Sequence, residues 1–364
     1  MHILFCNWRD TQNPEGGGSE RYVESMAQGL VERGHTVTIA CAEHDRAPRD
    51  EVVDGVRFVR RGHKMDIYLR TFFALLLGRY GRVDVVVDVQ NGLPFFTRLA
   101  TRKPVVVLVH HVHREQWPVV YPGLFGRVGW WIESRLSPRL YRRSQYVAVS
   151  SATRLELIEL GVDRDRIEVV HNGNTPAPLV ASGRSATPRF SVVGRLVPHK
   201  QVEHAIDAVA ALADDHPELV LDVIGAGWWD QELLAYASLH GVADRVNFHG
   251  FVDDQTKHEL LAQSWFMALP SLKEGWGIVI GEAGAHATPT VAYNAAGGTT
   301  ESIDHKDSGV LVDDPAELIS AIRELIEDRD WREFLGQGAL TKSRMFTWAR
   351  SQSDFAVIVS RAKP

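Results

Sequence analysis

The sequence predicts an α/β protein made of two doubly wound parallel sheets, and three observations predict it. Short β-rich apolar runs alternate with helical patterns along the whole chain, as in parallel βαβ architecture. The 364 residues suffice for two domains that each bury a core, at about 150 residues per domain. Between residues 172 and 189 the periodicity stops and Asn, Gly, Pro, Ser and Ala take over, which is a linker composition. With 45% hydrophobic and 24% charged residues, 30 Gly and 16 Pro, disordered and collagen-like chains are excluded.

In the first half, strands are expected at 2–6, 36–40, 56–59, 83–88, 105–109, 146–149 and 168–170. In the second they are expected at 189–193, 219–224, 246–249, 266–269 and 290–293, with helical patterns between them. The domains then run over 1–178 and 179–345, and a helical stretch over 346–364 is long enough to pack back on the first. Two such Rossmann-like sheets facing each other make a cleft lined by the carboxyl ends of their strands, where open α/β sheets bind ligands.

The two cysteines, Cys6 and Cys41, each end an apolar run, so neither a disulfide framework nor a cysteine metal cluster is expected. No apolar stretch approaches the ~20 residues of a membrane span, and the apolar N-terminus is too short for a signal peptide. A reducing cytoplasm is the expected location. The net charge of −6 hides an asymmetry: residues 1–180 hold 24 Lys/Arg against 20 Asp/Glu, the remainder 16 against 26. Residues 57–82 carry seven basic side chains and one acid, interleaved with Tyr68, Phe72 and Phe73. A second segment, 114–143, adds Trp117, Trp130, Trp131, Arg135, Arg139 and Arg142. These read as solvated helices or as a basic amphipathic surface for peripheral contact with an anionic membrane. The acidic chain as a whole argues against nucleic acid.

Three motifs could carry chemistry. After the first strand, Gly16-Gly17-Gly18 precedes an amphipathic helix, where backbone N–H groups and the helix dipole attract an anion. The same loop reads equally well as a turn with Ser19 as N-cap, and no Lys-Ser/Thr makes it a Walker loop. After the strand at 189–193, Arg195 and Lys200 place two cations at a strand end, which suits a diphosphate. After the strand at 266–269 come Glu274, Gly275, Trp276, Gly277 and Ile278, with Glu282 in the following helix. Glycines at that helix start allow N–H contacts to phosphate, and the two carboxylates can accept from sugar hydroxyls. Gly225-Ala226-Gly227 resembles a dinucleotide fingerprint only weakly. Asp230 stands at the third glycine position, and Trp228 and Trp229 would crowd a pyrophosphate.

Gly16 to Gly18, the Arg195/Lys200 pair, Glu274 with seven residues before Glu282, and Gly297-Gly298 with Glu301 together resemble the retaining nucleotide-sugar glycosyltransferases of family 4. The resemblance spans nearly the whole chain, with His171-Asn172-Gly173-Asn174 departing from the family's Pro-Asn-Gly-Val. It implies a GT-B fold and transfer of a sugar from a UDP- or GDP-sugar to a hydroxyl acceptor, lipid-linked or small, without a metal or other cofactor. The alternative is a protein of the same fold that binds a nucleotide sugar without transferring it. In the resemblance, Gly16 to Gly18 approach the donor diphosphate and Arg195 and Lys200 neutralise it. Glu274 then binds sugar hydroxyls, Glu282 holds the ribose, and His110 lies near the transferred sugar. The loop holding Asp253 receives the base. Asp253 could accept from guanine or cap the next helix, and His111 and His113 share a strand face that His110 does not, so a zinc cluster is not expected.

Overall fold

The computed structural model describes residues 1–362. The chain divides into two compact units, Met1–Gly173 with the C-terminal helix, and Asn174–Thr347. The first unit contains β1 (His2–Cys6), α1 (Gly18–Glu32), β2 (Thr36–Cys41), β3 (Asp50–Val53), β4 (Val56–Arg60), α2 (Ile67–Leu76), β5 (Val85–Gln90), α3 (Thr97–Ala100) and β6 (Val105–Val109). It continues through α4 (Gln116–Val120), α5 (Leu124–Trp131), a π-helical turn (Ile132–Leu136), α6 (Ser137–Leu140), β7 (Gln145–Ala148), α7 (Ser151–Glu159) and β8 (Ile167–Val169). The second unit holds β9 (Arg189–Val193), α8 (Val202–Ala211), β10 (Val220–Ile224), α9 (Asp230–Leu239), β11 (Val246–Gly250), α10 (Asp254–Gln263), β12 (Phe266–Leu269) and α11 (Ile278–Gly284). It ends with β13 (Thr290–Tyr293), α12 (Thr299–Ser302), β14 (Gly309–Val312), α13 (Pro315–Glu327) and α14 (Arg329–Met345), after which α15 (Trp348–Arg361) joins the first unit.

The first sheet has eight strands in the order β3-β4-β2-β1-β5-β6-β7-β8. The valine runs of β5 and β6 are buried on both faces, as parallel interior strands require, and they pair in register from Val86 with Val105 to Gln90 with Val109. One strand is antiparallel and was not expected: β3 pairs with β4 through Asp54-Gly55, both at positive φ. Asp-Gly between valines is the hairpin signal that could have revealed it. On one face of this sheet, Leu4, Cys6, Val86 and Val107 pack with Ile67, Leu75 and Tyr141. On the other, Phe5 stacks on Phe355 of α15 at 5.9 Å.

α15 lies along α1. Gln352 Nε2 donates to the Ser25 carbonyl at 3.1 Å, and Gly29 must lack a side chain there, because a Cβ would come 2.5 Å from Gln352 Cβ. Composition places domain boundaries at 178 and 346, whereas the units divide after Gly173 and after Thr347. The cause is Asn174, whose N–H donates to Phe346 O at 2.9 Å and whose side-chain amide donates to Ser343 O at 2.7 Å, fastening the linker's start to the second unit.

The second sheet is entirely parallel, six strands in the order β11-β10-β9-β12-β13-β14. β14, a short Gly-Val-Leu-Val run, was not anticipated. Cys6 and Cys41 are free and buried, and burial pushes both thiols up. Among the described residues no helix is long and apolar enough to cross a membrane.

Candidate functional site

In the second sheet β9 lies between β10 and β12. Crossovers leave it in opposite directions, so the loops after β9 and β12 frame the crevice where doubly wound sheets bind ligands. Both cationic and acidic motifs fall there. The loop after β9 is laid against the loop after β10: Gly194 N–H donates to Ile224 O at 3.0 Å and Leu196 N–H to Ala226 O at 3.1 Å. A Cβ on Gly225 would stand 1.9 Å from Gly194 O, and one on Gly227 the same distance from Leu196 O. The fingerprint-like glycines therefore serve this backbone contact, which positions Arg195, and not a dinucleotide.

A 3₁₀ turn, Pro198–Lys200, then carries Lys200 onto Glu274, where Nζ and Oε1 form an ion pair with both side chains largely buried. Glu274 is itself held by backbone: its N–H donates to Ala296 O at 2.8 Å and its carbonyl accepts from Gly298 N–H at 3.0 Å. A Cβ on Gly298 would lie 2.0 Å from Gly275 O, so the Gly297-Gly298 stretch acts as the clamp on this loop. Lys273, one position before Glu274, is buried beside Gly297. Gly194, Arg195, Lys200, Pro270 and Ser271 come together here, and the Ser271 hydroxyl is buried without a partner.

Gly277, at φ 83°, precedes α11, which Ile278 opens. Trp276 departs from expectation. Its ring is buried against Phe346, 4.7 Å between centroids, so this residue can offer a ligand only its backbone. Glu282 is buried in α11 and takes Lys257 Nζ at 2.9 Å. Nothing in the sequence linked Lys257, on α10, to Glu282. Asp253 is the N-cap of α10, accepting from Thr256 N–H at 2.7 Å, and that bond holds its carboxyl below the usual range.

In the first sheet the corresponding loops follow β1 and β5. α1 starts at Gly18 with Gly17 as N-cap, two residues earlier than a Ser19 cap would place it. Gly16 N–H donates to Asn13 O at 2.7 Å, and Gly17 N–H donates to the Glu20 carboxylate at 2.8 Å. Glu20 is fully buried, with Arg9 Nε 2.8 Å from its other oxygen. The anion expected at this helix start is thus supplied by the chain itself, and Gly16 and Gly17 have spent their N–H groups. A Cβ on Gly16 would lie 2.7 Å from Asp10 O, which is why glycine stands there.

Asp10 receives Arg60 Nε at 2.5 Å and His44 Nε2 at 2.9 Å. Arg60, one of the seven basic side chains of 57–82, does not belong to a basic surface: it is completely buried, and Arg61, Lys64 and Arg70 are paired with Asp50, Glu15 and Asp66. His110, at the end of β6, is buried edge-on to Tyr22 at 5.4 Å, with Nε2 unpartnered. Burial lowers its pKa to about 4, so the ring is neutral near pH 7. His111 Nε2 meets Gln116 Oε1 at 3.1 Å and His113 Nδ1 meets buried Glu133 at 3.0 Å, so both rings are anchored by neighbours the sequence spacing did not indicate.

Two doubly wound α/β units, each with its charged loops at a topological switch point, define the GT-B class. Residues 16–176 match the family described as Glycosyltransferase Family 4, and residues 183–341 match Glycosyl transferases group 1. The chain belongs to the GT-B glycosyltransferase family that joins these two domains. It is 32% identical over 228 residues to D-inositol 3-phosphate glycosyltransferase of Salinispora tropica, covering 58% of this chain and 46% of that protein. The chain thus matches about half the length of the curated relatives of this kind. In structure it resembles sucrose-phosphate synthase from Thermosynechococcus elongatus, with TM-score 0.85, 16% identity, and 99% and 98% of the two chains covered. It also resembles Anabaena HepE in complex with UDP-glucose, with TM-score 0.77, 20% identity and 99% of both chains covered.

Proposed function

We propose that this protein is a retaining glycosyltransferase that moves a sugar from a nucleotide-diphosphate sugar to a hydroxyl acceptor. The observation that carries the reading is the largely buried Lys200–Glu274 pair at the β9/β12 switch point, with Arg195 near Lys200. Cations fixed at strand ends are where a leaving diphosphate would gain charge, and a carboxylate among them accepts from sugar hydroxyls. As the anomeric C–O bond breaks, its electron pair passes to the diphosphate, and Lys200 and Arg195 offset the growing negative charge. The acceptor oxygen bonds to the anomeric carbon on the same face, and its proton goes to the departing phosphate oxygen. No protein base is required in this scheme. His110, neutral and with Nε2 unpartnered, would hydrogen-bond a sugar hydroxyl.

In this reading Glu282 orients the ribose while Lys257 fixes its rotamer, and the backbone from Gly275 to Ile278 approaches the phosphates. A UDP-sugar is the donor to test first. HepE, of the same fold, was solved with UDP-glucose, and Asp253, which could accept from guanine, commits an oxygen to its helix cap. The cationic pair supplies the neutralisation that a divalent ion could otherwise supply, so full activity in EDTA is expected.

The experiment is nucleotide release from UDP-, GDP-, ADP- and dTDP-sugars, with wild type and Glu282→Ala compared. Slow hydrolysis of one donor by the wild type, lost or much weakened in the variant, supports the reading. Absence of both hydrolysis and nucleotide-induced thermal stabilisation for every donor would overturn it.

A further inference from the structure

α2 is apolar on all sides but covered on only one. Ile67, Thr71 and Leu75 are buried, while Met65, Leu69, Phe73, Leu76 and Leu77 follow helical spacing on the opposite arc, each more than half exposed. A helix that is hydrophobic all round is ordinarily covered all round. α5 shows the same inversion more sharply. Its buried positions are Gly126 and Gly129, pressed on Trp117: a Cβ on Gly129 would come 2.3 Å from that ring. Its large side chains Leu124, Phe125 and Trp131 point outward, each more than half exposed.

The two faces border one loop, 91–96. Tyr68 of α2 stacks on Phe95 at 4.5 Å, and Trp117 lies over Gly92, 2.8 Å from where a Cβ would be. Residues 67–83 and 116–132 contain no acidic residue at all, in a chain of net charge −6. Within them Arg79, Arg82 and Arg127 are exposed, and among the described residues none makes an ion pair. Exposed apolar surface on two helices that border the same loop marks an interaction site.

We infer that the α2/α5 face docks on an anionic lipid bilayer, its apolar side chains entering the headgroup boundary and its unpaired arginines meeting lipid phosphates. A second copy of the chain fits less well, because a two-fold contact through this face would bring the arginines of both copies together, and the acid beside Met65, Asp66, is already paired with Arg70. The inference is independent of the transfer reaction, since docking is read without donor or acceptor.

The test is co-sedimentation of the full chain with phosphatidylcholine vesicles and with vesicles containing phosphatidylglycerol, at low and high salt. The chain should bind the anionic vesicles, more weakly as salt rises. Phe73→Ser with Phe125→Ser, two exposed positions, should lower the partition coefficient at least tenfold. Arg79→Glu with Arg127→Glu should abolish the preference for anionic lipid. No binding to anionic vesicles, or binding unaffected by both double variants, overturns the inference. A dimer in light scattering that Phe73→Ser/Phe125→Ser converts to monomer would also overturn it, assigning the face to a contact between copies.

Discussion

The loop at Gly16 to Gly18 and the loops at Gly194 to Lys200 and Gly275 to Gly277 look alike in sequence, since all place glycines after a strand near charged residues. In the structure they are opposites. In the first unit the helix start is closed by the chain's own carboxylate: Glu20 takes the Gly17 N–H and is matched by Arg9. In the second unit the glycines bring loop backbones together, so that Arg195 and Lys200 meet Pro270 and Ser271 and Lys200 pairs with Glu274. A glycine-rich loop before a helix therefore does not identify an anion site when its own N–H groups are already satisfied internally, as at Gly16 and Gly17.

The contrast is broken most directly at Lys200. Lys200→Ala should lower turnover about 10²-fold or more, and because it leaves Glu274 without its partner it should also lower the unfolding temperature, so turnover is read on the folded variant. A folded variant with normal turnover would show that the second unit's loops are no more an anion site than the first unit's. Glu20→Ala should do the reverse and act chiefly on stability. Leaving Arg9 buried without its carboxylate should cost about 3–5 kcal/mol, read in chemical denaturation. A cost below about 1 kcal/mol would mean the internal anion does not hold the loop.

A smaller effect sharpens the comparison at the first unit's other candidate residue. The pKa of His110 is about 4 in the folded protein and near 6.5 when unfolded, so between these values the unfolded chain binds more protons. Its contribution to stability is complete above pH 6.5 and falls away as pH drops toward 4. His110→Gln should remove up to about 1.4 kcal/mol per pH unit from the slope across that window. His286, also lowered to about 4 by burial, keeps a slope of the same sign in the variant. An unchanged slope would show that His110 is not the buried neutral ring described.

Most of the strand sequence was legible because parallel interior strands are apolar on both faces, as in the valine runs of β5 and β6. β3 is hard to read because half its residues are charged and it sits at the sheet edge, whereas β14 is as short as β12 and β13 and its Gly-Val-Leu-Val run could have revealed it. Arg195, Lys200, Glu274 and Glu282 could be picked out because their spacing within single loops and helices is local. Their partners could not: Lys257 stands 25 positions from Glu282, and the salt bridge exists only because α10 packs beside α11. Trp276 was read as a ligand contact, and only the packing of Phe346 shows its ring to be interior.

By itself the sequence determined the α/β class, the two-part organisation and the short-range motifs, because alternating hydrophobicity and turn chemistry act over a few residues. Tertiary structure decided which charges are spent and which are available. Arg60, Arg9 and Glu20 are neutralised by partners brought together through folding, whereas Arg79, Arg82 and Arg127 are not. Tertiary structure also turned the bulky side of α5 outward, because the glycines on its other side allow close packing against Trp117. Burial and pairing depend on contacts between residues far apart in the chain, and no local pattern encodes those distances.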